Sequence, residues 1–524
     1  MRNNDDLLLL DCTLRDGGYI NDWKWGYDIA KDIISYGVKA GVDIIEVGFL
    51  RNIEKYDPSI TVANTIEELN NLLPPQNVSD TMFCAMAMRS NYDINKLIPY
   101  SGSGIEMIRV TAHDYDISEG IEFARQVKNR GYKVSINPIN IMGYTDKELL
   151  NIIDMVNDVN PYQFAIVDTF GSMKKDDMER MVRLFDHNLN KKIRLALHLH
   201  ENMSLSCLLA EEFISMHVNR PISVDASLMG MGRDPGNLPI EVIADYLNYN
   251  EGKKYNINYL MDAIDNYISP IKGKAKWGYT TAYFLSAKFN LHRNYSEYYL
   301  KKGNLTCSDI YRIFDRFDKR KASVFDKKYA EEEYQRYMNV YLSKDSYTEL
   351  EEKFHGKNLL LLAPGLSLNE NVDRIKEESN KKNTITVSLN FVPGFMSVDF
   401  CFFSNSKRLQ LAENIEKEKL IVTSNIKNYS ADYIINYNRL NTGLNGDYNS
   451  LLLFLNLVKE YNVLTIFVAG ADGYSEHDIG YYRDNLWTDI IRNEDYNKKI
   501  GKYLSELGMQ ICFITPSLYE KYVE

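Results

Sequence analysis

A cation and a carboxylate, Arg15 and Asp16, stand side by side after an apolar run from Leu7 to Leu10 and before two glycines. An apolar run that ends in a glycine pair is typical of a buried strand followed by a turn. Burying either charge is costly unless it has a partner. A metal ion is the obvious partner for Asp16, and a substrate oxyanion is the obvious partner for Arg15.

Two histidines far downstream, His198 and His200, supply ligands of the kind that such a metal needs. They end another apolar run, and residues two apart in a strand share a face, so both imidazoles should point the same way. Two imidazoles and one carboxylate form a mixed nitrogen and oxygen site for a divalent metal. The alternative is that both histidines are structural, packed or hydrogen-bonded within the fold.

The composition limits what this chain of 524 residues can be. The length predicts two or three domains, and a hydrophobic fraction of 45% is ample for a large core. A net charge of −11 argues against a nucleic-acid-binding surface, which needs a basic stripe. The six cysteines form no CxxC pair, which indicates reduced thiols, and no signal peptide or membrane span is recognisable, so a cytoplasmic protein is expected.

Eight apolar, strand-like runs alternate with amphipathic segments through the first half of the chain. Repeated βα units imply a parallel sheet, and eight of them imply a closed (β/α)8 TIM barrel. The runs are apolar on both faces, as parallel strands buried under helices should be. They span Leu7–Leu14, Asp43–Phe49, Thr81–Met88, Ile105–Ala112, Lys133–Asn140, Gln163–Thr169, Ile193–His200 and Ser223–Met229.

A barrel of this kind carries its active site at the carboxyl ends of the strands. Only the eighth strand separates the first from the seventh, so Asp16, His198 and His200 can converge across the mouth. Asp168, at the sixth strand end, could touch the chemistry, cap the following helix or hold a neighbouring side chain. The polar residues at the other strand ends are Glu46, Arg51, Arg89, Arg109, Thr111, His113, Asn137, Asn140, Thr169 and Asn202.

A glycine-rich loop, residues 230–237, follows the eighth strand. Its glycines could simply make a tight turn. The loop nevertheless falls between the candidate metal ligands of the predicted barrel, and its last residue, Asn237, could complete the coordination shell.

The segment after the barrel, from Tyr255 to Tyr347, has helical periodicity and no strand-like runs. Residues 277–287 are dense in aromatic side chains, which are usually core, although one tyrosine could lie over the barrel mouth. Charged residues between 344 and 357 indicate a solvated linker. The predicted division is therefore a barrel domain of residues 1–254, a helical extension and linker of residues 255–350, and a third region of residues 351–524.

A second α/β pattern, which indicates a Rossmann-like domain, begins with the apolar run at residues 359–363. Ligands of open α/β sheets bind outside the carboxyl ends of strands, and a helix that begins there can hold an anion. Gly365, Ser367 and Asp472 are the candidate ligand residues of this region. Neither of their turns is a complete phosphate-binding motif, so both could equally be tight turns of the sheet.

Three motifs together resemble the DRE-TIM metallolyases, a group that includes 4-hydroxy-2-oxovalerate aldolase, hydroxymethylglutaryl-CoA lyase and the isopropylmalate and homocitrate synthases. The motifs are Asp-x-Thr-Leu-Arg-Asp-Gly at the first strand, His-x-His-Glu-Asn at the seventh and Gly-x-Gly-x-x-x-Gly-Asn after the eighth. The resemblance covers residues 7–283. It implies that Asp16, His198 and His200 bind the metal, that Arg15 stabilises an enolate, and that Asn237 is a further ligand.

The aldolase branch of this group is the most similar, and it shares an Arg-Val-x-x-His pattern from Arg109 to His113. This chain has Tyr19 where those aldolases carry an acid/base histidine. The resemblance leaves Tyr19, Tyr283 or a metal-bound water to move the proton. The tail resembles sialyltransferase-like and pterin-pyrophosphokinase-like proteins and not the dehydrogenase-docking domain of the channelling aldolases.

The resulting hypothesis is a metal-dependent aldolase that makes or breaks a carbon–carbon bond next to a 2-oxo acid, with an aldehyde as second molecule. Mn²⁺ is the expected ion, with Co²⁺, Zn²⁺ or Mg²⁺ as alternatives. The catalytic candidates are Arg15, Tyr19, His113 and Tyr283, and the substrate-binding candidates are Asn137, Asp168 and Thr169.

Two other hypotheses remain open at this point. One is a Claisen-type enzyme that uses an acyl-CoA. The other is a transferase that acts on a nucleotide-linked donor through the tail, with the barrel as a scaffold or sensor. A homo-oligomer is expected.

Overall fold

A computed structural model describes residues 6–75, 80–233, 235–275, 277–340, 342–343, 345–412, 415–416, 419–427, 429–440, 442, 449–475 and 494–523. The chain forms two compact units. The first unit comprises residues 1–293 and 318–325, and the second comprises residues 294–317 and 326–524.

The first unit is a closed parallel barrel, as the sequence predicts. Its strand order is β1-β9-β8-β7-β6-β5-β4-β2, and the pairing of β1 with β2 closes the ring. A two-residue strand, β3, which the sequence pattern did not predict, pairs with the last two residues of β2, Phe49 and Leu50. The strands are β1 (Leu7–Asp11), β2 (Ile44–Leu50), β3 (Val62–Ala63), β4 (Met82–Met88), β5 (Met107–Ala112), β6 (Lys133–Pro138), β7 (Gln163–Asp168), β8 (Arg194–Leu199) and β9 (Ile222–Ala226).

The first strand shows why these runs are apolar throughout. Leu7 and Leu9 belong to the large apolar cluster that the strands share with the surrounding helices. Leu10 belongs to a separate small cluster with Ile44 and Met107, residues of other strands, inside the ring. Because alternate residues of a strand point to opposite faces, a strand covered on both faces must be apolar at every position.

The helices of the first unit bury one face each against the strands. Helix Asp146–Val159 is typical: Thr145 and Glu148 form a capping box at its start, and Ile152 and Val156 are among its buried residues. The helices are α1 (Gly18–Asn21), α2 (Tyr27–Ala40), α3 (Ile66–Asn70), α4 (Ile117–Asn129), α5 (Asp146–Val159), α6 (Lys175–Asn188), α7 (Ser206–Ser215), α8 (Ile240–Asn250), α9 (Ile257–Ala263), α10 (Ser269–Lys272) and α11 (Thr281–Lys288).

The second unit is an open seven-stranded parallel sheet with helices, in the strand order β14-β13-β12-β11-β10-β15-β16. The strands are β10 (Asn358–Leu362), β11 (Thr384–Leu389), β12 (Phe400–Phe403), β13 (Leu420–Thr423), β14 (Tyr433–Ile435), β15 (Ile466–Ala469) and β16 (Ile511–Phe513). Its helices are α12 (Asn294–Leu300), α13 (Cys307–Phe314), α14 (Lys327–Met338), α15 (Tyr347–Phe354), α16 (Ser367–Glu370), α17 (Val372–Ser379), α18 (Ser406–Gln410), α19 (Ser450–Val458) and α20 (Glu494–Glu506).

The prediction of a solvated linker at residues 344–357 is wrong over its central part. Residues Tyr347–Phe354 form helix α15, and its side chains Leu350 and Phe354 are completely buried. The two apolar residues are four positions apart and share one helical face, while the glutamates that suggested a linker occupy the rest of the surface. The charges mark the exposed side of a packed helix.

The helical segment predicted at residues 255–350 is divided between the two units. Its described residues contain helices and no strand. Residues 255–293 and 318–325 pack with the barrel, and residues 294–317 and 326–350 pack with the second sheet. A fragment that is meant to contain the whole second unit therefore has to begin near residue 294.

The described part of the chain contains no helix that is both long and apolar enough to cross a membrane.

Candidate metal centre

Arg15 and Asp16 lie in a helical turn that follows the first strand and does not extend it. The strand ends at Asp11, and residues Thr13–Gly17 form one turn of π-helix. The backbone N–H of Asp16 donates to the carbonyl of Cys12 at 2.8 Å. This turn places both charged side chains among buried residues at the carboxyl end of the barrel.

Two tryptophans hold this turn from outside. The indole of Trp23 donates to the carbonyl of Arg15 at 2.7 Å, and the indole of Trp25 donates to the carbonyl of Leu14 at 3.1 Å. Gly18 makes the first contact possible, because a Cβ atom there would lie 2.1 Å from the Trp23 ring. The second glycine of the motif is therefore a packing requirement of the turn.

The structure brings the three candidate metal ligands together. His198 Nε2 lies 3.4 Å from Asp16 Oδ2, and His200 Nε2 lies 3.8 Å from the same oxygen. One donor atom from each residue falls within 4.8 Å of the others. Asp16 and His198 are buried, and His200 is nearly so. This convergence of two imidazoles on one carboxylate oxygen favours metal ligands over two purely structural histidines.

Both imidazoles are oriented by hydrogen bonds at their other nitrogen. His198 Nδ1 lies 3.1 Å from a carboxylate oxygen of Asp225, and His200 Nδ1 lies 2.9 Å from the backbone carbonyl of Asp168. A proton on each Nδ1 leaves the Nε2 lone pair facing Asp16. Metal-binding histidines are typically held in this way by a carboxylate or a carbonyl.

Two buried acceptor atoms are suited to bind a cation. Asp16 Oδ2 and Asn237 Oδ1 are both buried without a hydrogen-bond partner. The amide nitrogen of Asn237 donates to the Met231 carbonyl at 3.2 Å, so the amide oxygen is left over, and Asn237 pairs with His200 in an isolated β-bridge. Buried acceptors of this kind are costly unless a donor or a cation reaches them. The carboxylate, two imidazoles and an amide oxygen suit a divalent metal.

Gly232 explains part of the glycine-rich loop. A Cβ atom at this position would lie 2.2 Å from the amide nitrogen of Asn237. A larger residue would therefore displace the Asn237 side chain, whose amide oxygen is buried without a hydrogen-bond partner. At Gly232, glycine is therefore required by packing against Asn237 and not only by the turn.

Arg15 is held by a chain of buried ion pairs that reaches back to His198. Its Nη1 lies 3.1 Å from Asp16 Oδ1, and its Nε donates to Glu46 Oε2 at 2.7 Å. The same oxygen of Glu46 accepts from Arg109 Nη1 at 2.9 Å, and Arg109 Nη2 donates to Asp225. Asp225 is the hydrogen-bond partner of His198, so the network connects Arg15 to this candidate metal ligand.

The charges of this network favour a bound cation. Three carboxylates (Asp16, Glu46 and Asp225) face two guanidinium groups, all of them buried. Burial alone would raise the pKa of Asp16, but Arg15 and the two histidines hold it well below its usual value. Burial and the neighbouring His198 lower the pKa of His200 to about 4. At neutral pH Asp16 is therefore ionised and His200 is neutral, as a metal requires. Burial lowers the pKa of His198, but its hydrogen bonds to Asp16 and Asp225 outweigh burial and raise it, so metal binding has to displace a proton from this imidazole more often.

Substitution of Asp225 tests whether this carboxylate orients the His198 imidazole without being a metal ligand itself. Asp225→Asn keeps the size and an acceptor for His198 but weakens the hold on the imidazole and leaves Arg109 with one carboxylate fewer. We expect metal affinity to fall by about 10- to 100-fold, the usual cost of losing a partner of a metal-binding histidine. Isothermal titration with Mn²⁺ measures this, and Asp245→Asn, at an exposed position of α8, is the matched control. Unchanged affinity in Asp225→Asn would remove Asp225 from the site.

Asp225 and the structural role of Arg109 were not predicted from the sequence. Asp225 lies in the middle of β9, between the apolar residues Val224 and Ala226. An acidic residue inside an apolar strand that is buried on both faces was an available signal, because it requires a cationic partner. The identity of that partner depends on which residues face the barrel interior, which only the structure provides.

The acid/base candidates Tyr19 and His113 lie near the barrel mouth. Tyr19 is 37% exposed, its ring packs on Trp23 with centroids 4.7 Å apart, and the Arg233 guanidinium lies 5.4 Å from its centre. His113 stacks on Tyr115 at 4.9 Å. Burial lowers the pKa of His113, so this imidazole is neutral at pH 7.

Tyr283 belongs to a segment, residues 277–292, that packs on the loops at the carboxyl ends of the strands. The indole of Trp277 donates to the Met229 carbonyl at 3.0 Å, and Arg233 Nη2 lies 3.2 Å from His292 Nε2. Asn202 donates to the backbone carbonyl of Tyr283 at 3.4 Å. The suggestion that an aromatic segment lies at the barrel mouth therefore has structural support.

The three substrate-binding candidates are engaged with their own neighbours. The Asp168 carboxylate accepts from the backbone N–H groups of residues 172 and 173, at 2.9 and 3.1 Å. The Thr169 hydroxyl accepts from the backbone N–H of Asn140 at 2.8 Å. The Asn137 amide, oriented to satisfy both of its atoms, accepts from Arg109 at 3.0 Å and donates to Ser135 at 2.8 Å. Of the roles considered for Asp168, the geometry shows loop capping and the positioning of His200.

In the second unit, the structure places Gly365, Ser367 and Asp472 together at the carboxyl ends of β10 and β15. Asp472 accepts from the backbone N–H of Ser367 at 2.9 Å and also from its hydroxyl. A Cβ atom at Gly365 would lie 2.5 Å from the Asp472 carboxyl carbon. Asp472 thus occupies the donors that an anion would use here.

Fold and site together define an enzyme built on a (β/α)8 barrel with a candidate divalent-metal centre at the carboxyl ends of its strands. Residues 6–265 match the family model described as HMGL-like. Through its barrel, this chain belongs to the HMGL-like family, and it is a carbon–carbon lyase.

Several known proteins are similar to the barrel half of the chain. A 4-hydroxy-2-oxovalerate aldolase of Pseudoalteromonas translucida is 25% identical over 272 residues, which is 50% of this chain and 76% of that protein. An oxaloacetate decarboxylase of Mycobacterium tuberculosis is 22% identical over 240 residues, 45% of this chain and 68% of that protein. The solved structure of a Bacillus subtilis HMG-CoA lyase, 16% identical, covers 52% of this chain and 96% of that chain with a TM-score of 0.41.

Proposed function

We propose that this protein is a divalent-metal-dependent aldolase that makes or breaks a carbon–carbon bond next to the enolate of a pyruvate-type 2-oxo acid. One observation carries the proposal. The donor atoms of Asp16, His198 and His200 lie within 4.8 Å of one another, and the Arg15 guanidinium is 3.1 Å from the same Asp16 carboxylate. A metal position beside a fixed cation is what the charge of an enolate oxygen requires.

A divalent ion held by Asp16, His198, His200 and Asn237 would supply Lewis acidity to the ketone oxygen of a 2-oxo acid. The residues of the chain do the rest. Arg15 opposes negative charge as it develops on that oxygen, and Glu46 fixes the direction of its guanidinium through a 2.7 Å bond to Nε. Because Arg109 and Glu46 hold Arg15 before substrate arrives, no reorganisation is needed during the reaction.

The carbon–carbon bond breaks when a base removes the proton of the 4-hydroxyl group, and an aldehyde leaves. We propose Tyr19 for this proton transfer, with Tyr283 as the other candidate. Tyr19 is partly exposed at the mouth, and the Arg233 guanidinium lies 5.4 Å from the centre of its ring.

Deuterium exchange into the methyl group of pyruvate tests the proposal directly. Intact protein with Mn²⁺ should catalyse the exchange, and removal of the metal by a chelator should stop it. Acetaldehyde release from a 4-hydroxy-2-oxo acid then tests aldol cleavage itself. Failure of pyruvate exchange under every divalent ion tried (Mn²⁺, Co²⁺, Zn²⁺ and Mg²⁺) would reject the proposal. Acyl-CoA-dependent condensation without pyruvate exchange would favour a Claisen-type enzyme.

A second candidate is decarboxylation of a 2-oxo diacid such as oxaloacetate, the activity named for one relative. The observation that favours it is Tyr19, which stands where the similar aldolases carry a histidine base. Loss of carbon dioxide yields a pyruvate enolate without removal of a hydroxyl proton, so it needs no base at that position. Faster release of carbon dioxide from oxaloacetate than of aldehyde from the 4-hydroxy acid would select this activity.

Tyr19→Phe separates the two candidates by a mutation. We expect aldol cleavage to fall by about 100-fold, the lower part of the usual contribution of an acid/base group, because water can reach this exposed site. Decarboxylation should change little. Tyr115→Phe, a more exposed tyrosine at the end of β5, is the control. If Tyr283→Phe rather than Tyr19→Phe slows cleavage, the proton transfer belongs to Tyr283.

We also propose a cytoplasmic homo-oligomer. All six cysteines of the chain are free, which suits a reducing compartment. Light scattering on the purified protein measures the oligomeric state.

A further inference from the structure

A cavity lies in the unit that contains the open sheet. It has a volume of about 220 Å³. One wall follows the carboxyl ends of β12 and β13, where Ser406 and Lys427 lie, and the other wall is helix α13 with Arg312. All its lining residues belong to the second unit. Ligands of open parallel sheets bind at this end of the strands.

The charged side chains that line the cavity carry a net positive charge. Arg312 and Lys427 line it, and Arg316, one turn further along the chain, acts on Lys427. The carboxylate among them is that of Asp309, which is 2% exposed. Two cations, Arg312 and Lys427, outnumber the one carboxylate among the described lining residues, and Arg316, which is not one of them, adds positive charge nearby.

The Asp309 carboxylate is engaged in hydrogen bonds with residues of the cavity wall and does not neutralise both cations. Its carboxylate accepts from the backbone N–H of Thr306 at 2.9 Å, from the Tyr337 hydroxyl at 2.6 Å and from Arg312 Nη1 at 3.2 Å. This set of bonds fixes the first turn of α13 and one nitrogen of the Arg312 guanidinium. Arg312 is therefore positioned before any ligand arrives.

Lys427 is held in the cavity at a cost. Its ammonium group donates to the Ser424 carbonyl at 3.2 Å and lies 5.5 Å from the centre of the Tyr337 ring. Burial and then the charge of Arg316 lower the pKa of Lys427, Asp309 opposes them, and Arg312 makes a smaller contribution. A half-buried lysine among arginines is stabilised when an anion joins them.

We propose that this cavity binds the phosphoryl group of a small phosphorylated molecule, with Arg312 and Lys427 as its cationic contacts. A phosphate monoester carries a charge of about −1.5 to −2 at neutral pH, which suits a site with two cationic contacts better than the single charge of a carboxylate does. The forked guanidinium and the ammonium are the two groups that proteins commonly use for phosphate. The hydroxyls of Ser308 and Ser406 add neutral donors, and Ile426 and Tyr429 are left for the organic part.

Titration calorimetry on the full chain tests the proposal with inorganic phosphate as the probe. A chelator is present throughout, so that phosphate cannot bind through a metal in the barrel. We expect saturable binding of phosphate at constant ionic strength, displacement of phosphate by ribose 5-phosphate, and no comparable binding of acetate. Absence of phosphate binding at millimolar concentration, equal binding of acetate, or failure of ribose 5-phosphate to compete would overturn it.

Variants locate the binding. Arg312→Gln and Lys427→Gln should each weaken phosphate binding by about 10-fold or more, the loss typical of one charge-assisted hydrogen bond. Asp309 keeps its bonds from residues 306 and 337 in Arg312→Gln, so the fold should survive, and Arg312→Lys should recover part of the affinity. Arg374→Gln and Lys376→Gln, exposed on helix α17 of the same unit, are the matched controls. Equal losses in the controls, or unchanged binding in both cavity variants, would contradict the assignment.

Discussion

Replacing His198 with alanine should give a folded protein that no longer retains a divalent metal and no longer exchanges the methyl protons of pyruvate. His198 contributes the nitrogen 3.4 Å from Asp16 Oδ2, and it is also the group through which Asp225 reaches the site. Alanine removes both. The loss of metal affinity should therefore exceed the roughly 10- to 100-fold expected when only a partner of a metal-binding histidine is lost.

Metal content by elemental analysis and pyruvate exchange are the two measurements for His198→Ala. His187→Ala is the matched control, since His187 is exposed on helix α6 of the same barrel. Circular dichroism establishes that the variant is folded. Retention of one metal per chain together with normal exchange would show that the ion binds elsewhere, and the assignment of Asp16, His198 and His200 would have to be abandoned.

Arg15→Ala should retain the metal but lose most of the activity, in contrast to His198→Ala, which should lose both. The Arg15 guanidinium faces the site beside Asp16 but contributes no lone pair to a metal. Losing one donor that stabilises developing charge typically costs about 100- to 1000-fold in rate. Glu46 keeps its 2.9 Å bond from Arg109 in the variant, so the buried carboxylate is not left alone.

Arg15→Lys distinguishes the shape of the cation from its charge. Arg15 makes two directed contacts, one from Nη1 to Asp16 and one from Nε to Glu46. A lysine ammonium is a point charge and cannot reproduce this fork, so activity should remain low. Arg89→Ala, exposed just after β4, is the control for loss of an arginine at a strand end. Parallel loss of metal and activity in Arg15→Ala would indicate a structural role for Arg15 instead.

The features that the sequence predicts correctly are those that depend on regular patterns. All eight barrel strands, and the first strand of the second sheet, follow from apolar runs and the turn residues that end them. The meeting of Asp16 with His198 and His200 follows from the spacing of the two histidines and from barrel closure, which places β9 alone between β1 and β8.

The features that the sequence did not predict depend on contacts between distant segments. The π-helical turn of residues 13–17 is fixed by the indoles of Trp23 and Trp25, which no local pattern reveals. Helix α15 was hidden by its charged outer face, because its inner face presents only two large apolar residues. The link from Asp225 through Arg109 to Glu46 joins three strands whose interior faces become neighbours only after closure.

The order in which the ligands occur along the chain has a consequence for how the enzyme is made. Asp16 lies in the turn that follows the first strand, and that strand pairs with β9, the last strand of the ring. His198, His200 and Asn237 are therefore synthesised long after Asp16, and a chain emerging from the ribosome has no complete metal site until some 237 residues are outside. A free ion has nothing to hold it before the ring closes. Metal acquisition should consequently follow barrel folding, and its timing should report ring closure in a refolding experiment.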